Sequence, residues 1–192
     1  PKTFLLPGLL ERGSSPGSKN VFGGVLYTTV LNRLIPEFWE EAPLERHMKG
    51  IRLFLISPDN AVSIGIESED HNKPPFNNSF TVSRAKFDQW YASKAEEVGA
   101  MLVPETVVDD LLKDDKGRVV GVRVRGDEGE LYSRVVIGAD GVNSLLAEKA
   151  GLRKSYVPRQ VSLGMKEVIE LPRSVIEDRF GVTGNEGVEL KY

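Results

Sequence analysis

The 192-residue sequence has no cysteine, only two histidines, and no excess of positive charge. Without cysteine there can be no disulfide, no thiolate nucleophile and no Cys-ligated zinc or iron–sulfur centre within the chain. His47 and His71 are too few, and too polar in context, for a histidine metal site, and they read as surface residues. Lys and Arg total 25 against 28 Asp and Glu, a net charge of −3. That balance excludes nucleic acid as the main partner, because phosphate binding needs a basic surplus. No apolar run approaches the ~20 residues of a membrane span. No charged start followed by an apolar stretch marks a signal peptide. The chain opens on Pro1 rather than Met, which suggests a processed or cut N-terminus.

Hydrophobic residues make up 40% of the chain, enough for a packed interior in one sizeable domain or two small lobes. Phe4 to Leu10 is apolar but interrupted by Pro7 and Gly8, a poor strand that ends at Glu11. The small residues from Ser14 to Gly24 read as a loop. Thr28 or Thr29 can cap a helix carrying Val30, Leu31, Leu34 and Ile35, which Pro36 disturbs. Ile51 to Ile56 and Ala61 to Ile66 predict two strands joined by a turn at Pro58-Asp59-Asn60, and Phe80 to Val82 a third. Phe87, Trp90, Tyr91, Ala95 and Val98 share one face of a helix from Arg84 to Val98, with Ser83 before it and Gly99 after. Trp39 and Trp90 read as core or interface anchors rather than stacking partners. Ala100 to Val103 predicts a short buried strand.

Alternation then predicts a three-stranded antiparallel meander from Val107 to Ile137, with turns near Asp115–Gly117 and Gly126–Gly129. The last strand, Leu131 to Ile137, runs into Gly138-Ala139-Asp140-Gly141, and Val142 to Ala150 reads as helix stopped by Gly151. Val161 to Leu171 predicts a long alternating strand carrying Lys166 and Glu167, and Pro172 opens a helix to Phe180.

Helix, short strand, meander and a strand ending in a tight Gly-Ala-Asp-Gly turn occur in an order that resembles the glutathione-reductase-like flavoprotein fold. The Asp140-Gly141-x-x-Ser144 element is similar to one shared by many FAD-dependent hydroxylases and dehydrogenases. Read alone, it is a plain turn with Asp140 or Asn143 as a helix cap. More specific is Ser15 to Tyr27, Ser-Pro-Gly-Ser-Lys-Asn-Val-Phe-Gly-Gly-Val-Leu-Tyr, with Ser83-Arg84-x-Lys86-Phe87-Asp88-x-Trp90 after it. The stretches from Gly138 to Lys149, Gly164 to Pro172 and Ile176 to Phe180 follow in order. Together these resemble the FixC family, relatives of the electron-transfer-flavoprotein:quinone oxidoreductases, from about Glu11 to the end.

The resemblance implies an α/β fold. Residues 1–44 and 83–151 would form a partial FAD-binding domain, a parallel sheet plus the meander, and residues 45–82 and 152–192 part of a β-rich substrate or quinone lobe. It implies FAD, with Glu11 and Arg12 at a strand end facing the adenosine ribose, and Lys19, Asn20, Gly23 and Gly24 as the flavin loop. Arg84 at the helix start, Val107 at the start of the meander, and Ala139, Asp140 and Gly141 complete the cofactor set. The plain alternatives stand beside these roles: Glu11 as a solvated strand end, Lys19 and Arg84 as surface charges. The implied reaction takes electrons from an electron-transfer flavoprotein toward quinone or a ferredoxin-like partner, without a catalytic triad. The implied location is cytoplasmic, with peripheral contact to the inner face of the membrane left open. A geranylgeranyl-reductase-type or hydroxylase-type flavoprotein, or a module without flavin, are the other readings. The family's Gly-x-Gly-x-x-Gly turn and helix, which hold the pyrophosphate, do not precede Glu11. The chain therefore looks like the middle of a longer flavoprotein. Weak or absent FAD binding by the chain alone is expected, as is self-association through a sheet edge left open by the missing first strand.

Overall fold

The structure, a computed structural model, describes residues 2–3, 6–20, 23–126 and 129–192. In chain order the strands and helices are β1 Lys2–Thr3, β2 Gly8–Leu10, β3 Gly23–Tyr27, α1 Thr29–Leu34, β4 Leu44–Ile56, β5 Ala61–Glu67 and β6 Ser79–Ser83. Then come α2 Arg84–Glu97, β7 Met101–Val103, β8 Val108–Lys113, β9 Val119–Val124, β10 Glu130–Tyr132, α3 Leu145–Lys149, α4 Arg173–Phe180 and β11 Glu186–Lys191. They form two compact units, one of Pro1–Ser18 with Ala92–Met165, the other of Lys19–Tyr91 with Lys166–Tyr192. The boundary at residues 91 and 92 falls inside α2.

In the first unit the order is β1-β10-β9-β8, with β2 and β7 as a separate parallel pair. The meander is present, since β8, β9 and β10 pair antiparallel in sequence. Its first turn is closed by Asp114, whose carboxylate accepts from the amides of Lys116 and Arg118 at 3.0 and 2.9 Å. Gly117 there adopts φ +77°, a left-handed conformation that glycine takes without a Cβ penalty. Asp127 and Glu128 of the expected second turn lie outside the described residues, but its closing bond runs from the Val124 amide to the Gly129 carbonyl. Val122, Val124 and Leu131 are the buried centre, with Leu10, Val108, Leu111 and Val136 packed on them.

Four expectations for this unit need correction. The strand Leu131 to Ile137 stops at Tyr132: past the Ser133 amide, bonded to Val120, no described segment takes up the backbone, and Val135 and Ile137 are exposed. The helix from Val142 shortens to α3, because Gly141 at φ +76° and Ser144 at φ +41° are left-handed and cannot join a right-handed helix. The strand at Ala100 to Val103 forms but is not buried, Met101 being exposed, since its one described ladder partner is β2. Phe4 and Leu5 of the broken apolar run lie outside the described residues, yet Pro7 does not stop the run from pairing. Its carbonyl accepts from the Met101 amide at 2.8 Å, and Gly8–Leu10 continues in parallel with Met101–Val103.

The second unit is a five-stranded sheet in the order β11-β4-β6-β3, with β5 also on β4. Thirteen-residue β4 is its spine: it pairs antiparallel with β5 and β6 and parallel with β11. Leu31, Phe38, Phe80, Val82 and Phe87 form the core, with Trp39, Phe76 and Trp90 packed against it as expected of the tryptophans. The rings meet edge-on, Phe38 to Phe80 at 6.1 Å and Trp39 to Phe76 at 5.8 Å. Thr28 starts α1 but does not cap it; its buried hydroxyl donates to the Phe76 carbonyl at 2.6 Å. His47 and His71 are half-buried rather than surface residues, His47 lying 5.2 Å from the Phe76 ring and beside Asn72, His71 on the Lys49 carbonyl. The strand expected from Val161 to Leu171 is absent: these residues pair with no described strand, and Leu163 and Met165 are almost fully exposed. Alternation makes a strand only where a neighbour accepts its backbone hydrogen bonds.

The parallel seam of β11 on β4 is locked by Glu186. Its carboxylate accepts from the Thr183 amide at 2.9 Å, the Thr183 hydroxyl at 3.1 Å and Asn72 at 3.3 Å, with Lys49 at 3.5 Å. The Thr183 amide above all, with the Thr183 hydroxyl and Lys49, holds this carboxyl below the usual carboxylate range against the opposing effect of desolvation. A carboxyl whose folded pKa is depressed stabilises the fold above its unfolded value, about pH 4.3, and loses that contribution as pH falls through the folded value. The second unit should therefore weaken below about pH 4, and Glu186→Gln should flatten that dependence in urea melts across pH. An unchanged acid limb in the variant contradicts the assignment. Phe38→Ala, at a side chain 1% exposed, should cost about 3–5 kcal/mol in the same melts, whereas Val98→Ala, 86% exposed, should stay within about 0.5 kcal/mol.

Candidate functional site

The expected cofactor residues divide between the two units, so each group is described within its own. In the first unit Glu11 directly follows β2 at the carboxyl end of the parallel pair. Its amide donates to the Val103 carbonyl at 3.0 Å and its carbonyl accepts from Thr106 at 2.9 Å, so both neighbouring segments fix its place. The side chain bends back over the following turn, where Oε1 accepts from the Gly13 amide at 2.6 Å. Gly13 is buried there, and the Glu105 amide donates to its carbonyl. A carboxylate beyond the carboxyl end of a parallel strand is where open α/β sheets meet a ribose hydroxyl. Arg12 is exposed beside it. Val107 is adjacent through the Thr106 bond, and its carbonyl accepts from Arg125 at 2.9 Å.

Ala139, Asp140 and Gly141 form an exposed turn ahead of α3. Asp140 Oδ2 accepts from the Leu146 amide at 2.9 Å, so the plain reading of Asp140 as a helix-capping side chain describes its bond here. Arg153 reaches the Asn143 carbonyl and Glu148, and lies 4.2 Å from the Tyr156 ring, holding the far side of the same turn.

In the second unit, Asn20 and Arg84 meet on one carboxylate. Asp88 accepts from Asn20 Nδ2 at 2.7 Å, from Arg84 Nε at 2.6 Å and from Arg84 Nη2 at 3.0 Å. The hydrogen bond to Asp88 raises the Arg84 pKa further above its ordinary value. Asp88 was not foreseen as a site residue, though its position four residues after Arg84 on a helix is the signal that predicts the pair. Lys19 is exposed. Val21 and Phe22 of the expected loop lie outside the described residues. Gly23 and Gly24 do not belong to a loop: they open β3, opposite Ser83 and Val82 of β6. A Cβ at Gly23 would run into the Val82 carbonyl and lie 2.7 Å from Lys166 Nζ, while at Gly24 it would meet nothing within 4 Å. Gly23 is thus required by a close backbone approach, and Gly24 leaves open space beside the strand.

These placements fit a dinucleotide cofactor in part. The acid at the end of β2 suits an adenosine ribose, and the open space at Gly24 suits the close passage of a flat group. For a pyrophosphate the fit fails, because no Gly-x-Gly-x-x-Gly sequence occurs in the chain to present backbone amides at a helix start.

The class of protein follows from the fold. The chain aligns with a geranylgeranyl bacteriochlorophyll reductase-like protein of Thermoplasma acidophilum at TM-score 0.62 and 26% identity, over 78% of this chain and 36% of that one. It aligns with the flavin-dependent brominase Bmp2 at TM-score 0.56 and 19% identity, over 75% and 34%, a likeness of fold alone. The architecture is that of the FAD-dependent oxidoreductases and halogenases. Within that class the sequence is FixC-like. It is 47% identical over 182 residues to Protein FixC of Bradyrhizobium diazoefficiens, covering 95% of this chain and 42% of that protein. Protein FixC of Escherichia coli K12 matches at 46% over 184 residues, 96% and 42%. No family model matches the chain. The chain thus spans about two fifths of the length of the relatives it matches.

Gly23 and Gly24 generate a paired test. Gly23→Ala should lower stability by about 1–3 kcal/mol, because backbone must shift to admit the methyl, whereas Gly24→Ala should be near neutral. Thermal unfolding of both variants checks this, and equal effects would contradict the strand register.

Proposed function

We propose that this chain is part of a FixC-type FAD-dependent oxidoreductase that takes electrons from an electron-transfer flavoprotein and passes them toward quinone or a ferredoxin-like acceptor. The observation that carries the proposal is the collinear 47% identity to Protein FixC, joined to an acid at the carboxyl end of a parallel strand, where such a fold receives a ribose. FAD, when bound, supplies the electron-carrying chemistry. The residues of this chain would bind and orient it: Glu11 with Arg12 and Val107 at the ribose end, Ala139, Asp140 and Gly141 at the turn before α3. Lys19, Asn20, Gly23 and Gly24 would flank the flavin, with Arg84 and Asp88 holding Asn20 in place. Residues 1–44 and 83–151 would serve the cofactor, and 45–82 and 152–192 the substrate or acceptor side. Peripheral contact with the cytoplasmic face is the proposed mode of reaching quinone; no helix among the described residues is long and apolar enough to cross a membrane.

A second reading is a reductase of the geranylgeranyl type, favoured by the structural likeness at TM-score 0.62 and 26% identity. The two differ in electron donor. In a full-length protein carrying this segment, reduction of the bound flavin by a reduced electron-transfer flavoprotein, faster than by NAD(P)H, supports the first reading. The reverse order contradicts it.

The missing pyrophosphate donors give a separate expectation. The isolated chain should bind FAD only weakly, with Kd above about 100 µM, in a fluorescence-quenching titration. Stoichiometric binding at micromolar concentration would contradict it.

A further inference from the structure

The hairpin of β4 and β5 carries an aliphatic ladder that neither unit's core uses. Its register sets Ile51 against Ile66, Leu53 against Ile64 and Leu55 against Val62, so all six side chains lie on one face. Ile66 is 70% exposed, Leu55 64%, and Val62 and Ile64 60% each. Every residue of β5 is exposed, and on its outer side β5 has no ladder partner among the described residues. The opposite face is occupied differently, with Phe54 stacked on Tyr192 at 5.3 Å and Arg52 paired with Glu67 at 3.1 Å.

Free edges in natural sheets normally carry a charge, a proline or a bulge that blocks further pairing. From Ala61 to Ile66 β5 has no charge and no proline, and its pairing with β4 shows no register shift. Its only charged residue, Glu67, is held by Lys49 and Arg52. The strand is also close to symmetric about Ile64: Val62 and Ile66 are β-branched on the ladder face, Ser63 and Gly65 small on the other.

We propose that β5 is a self-association edge whose occupant is the β5 of a second copy. The two strands pair antiparallel about a two-fold axis at Ile64, perpendicular to the sheet. That register sets Ile64 against its own counterpart and Val62 against Ile66 of the other copy. It joins both aliphatic ladders on one face and satisfies the open backbone groups. A seven-residue strand with this ladder buries about 300–500 Å² per copy, less than the ~800 Å² of a durable interface, so the dimer is weak, with Kd on the order of 100 µM.

Sedimentation equilibrium of the 192-residue chain from about 10 µM to about 1 mM reads the association directly. The expected result is a reversible monomer–dimer equilibrium for the native sequence. Ile64→Lys and Ile64→Glu, each folded by circular dichroism, should be monomeric when alone, because like charges then face each other across the axis. An equimolar mixture of the two should dimerise again. A native chain that stays monomeric at about 1 mM overturns the proposal and leaves the ladder to a different partner. So does association that persists in both variants, or a mixture that fails to dimerise.

Discussion

Everything in this structure depends on where backbone amides and carbonyls find partners. A strand-like sequence becomes a strand only beside a neighbour that accepts its ladder. Residues 44–56 meet that condition along their whole length, with β5, β6 and β11 against them, and so β4 organises the second unit. Gly8–Leu10 meets it despite the preceding proline, because Met101–Val103 runs alongside in parallel. Residues 161–171 do not meet it among the described residues, and they remain an unpaired segment however well they alternate.

The same constraint shapes the candidate site. Glu11 is positioned by bonds to Val103 and Thr106, the backbone that flanks the end of β2. Asn20 and Arg84, far apart in sequence, are fixed by one shared acceptor, Asp88. What the chain lacks is a glycine turn whose amides point at a phosphate. The chain covers 42% of the length of Protein FixC.

Much of this was legible from residue pattern. The two turns of the meander follow from glycine between alternating runs, and α2 from aromatic residues at helical spacing ending at Gly99, which sits at φ +95°. The family likeness rested on collinear motifs, and the fold and sequence comparisons agree with it. The misses have separate physical causes. Alternation at 161–171 and 133–137 reports that side chains could sit on two faces, not that a partner strand is present. The left-handed conformation of Ser144 has no signature in composition, so α3 looked longer than it is. β11 was overlooked because Glu186-Gly187-Val188-Glu189-Leu190-Lys191 has only two apolar residues, and the parallel ladder to β4 stabilises what local propensity does not. Gly23 and Gly24 read as loop because two glycines usually mean a turn, whereas here one admits a neighbouring strand.

Amide hydrogen–deuterium exchange of the 192-residue chain tests this dependence on backbone partners most directly. Residues 47–53 and 119–124, each flanked by paired strands, should exchange slowly, and residues 162–170 at rates close to those of an unstructured peptide. Protection across 162–170 comparable to that of β4 would mean that this segment is a strand with a partner, and would contradict the account.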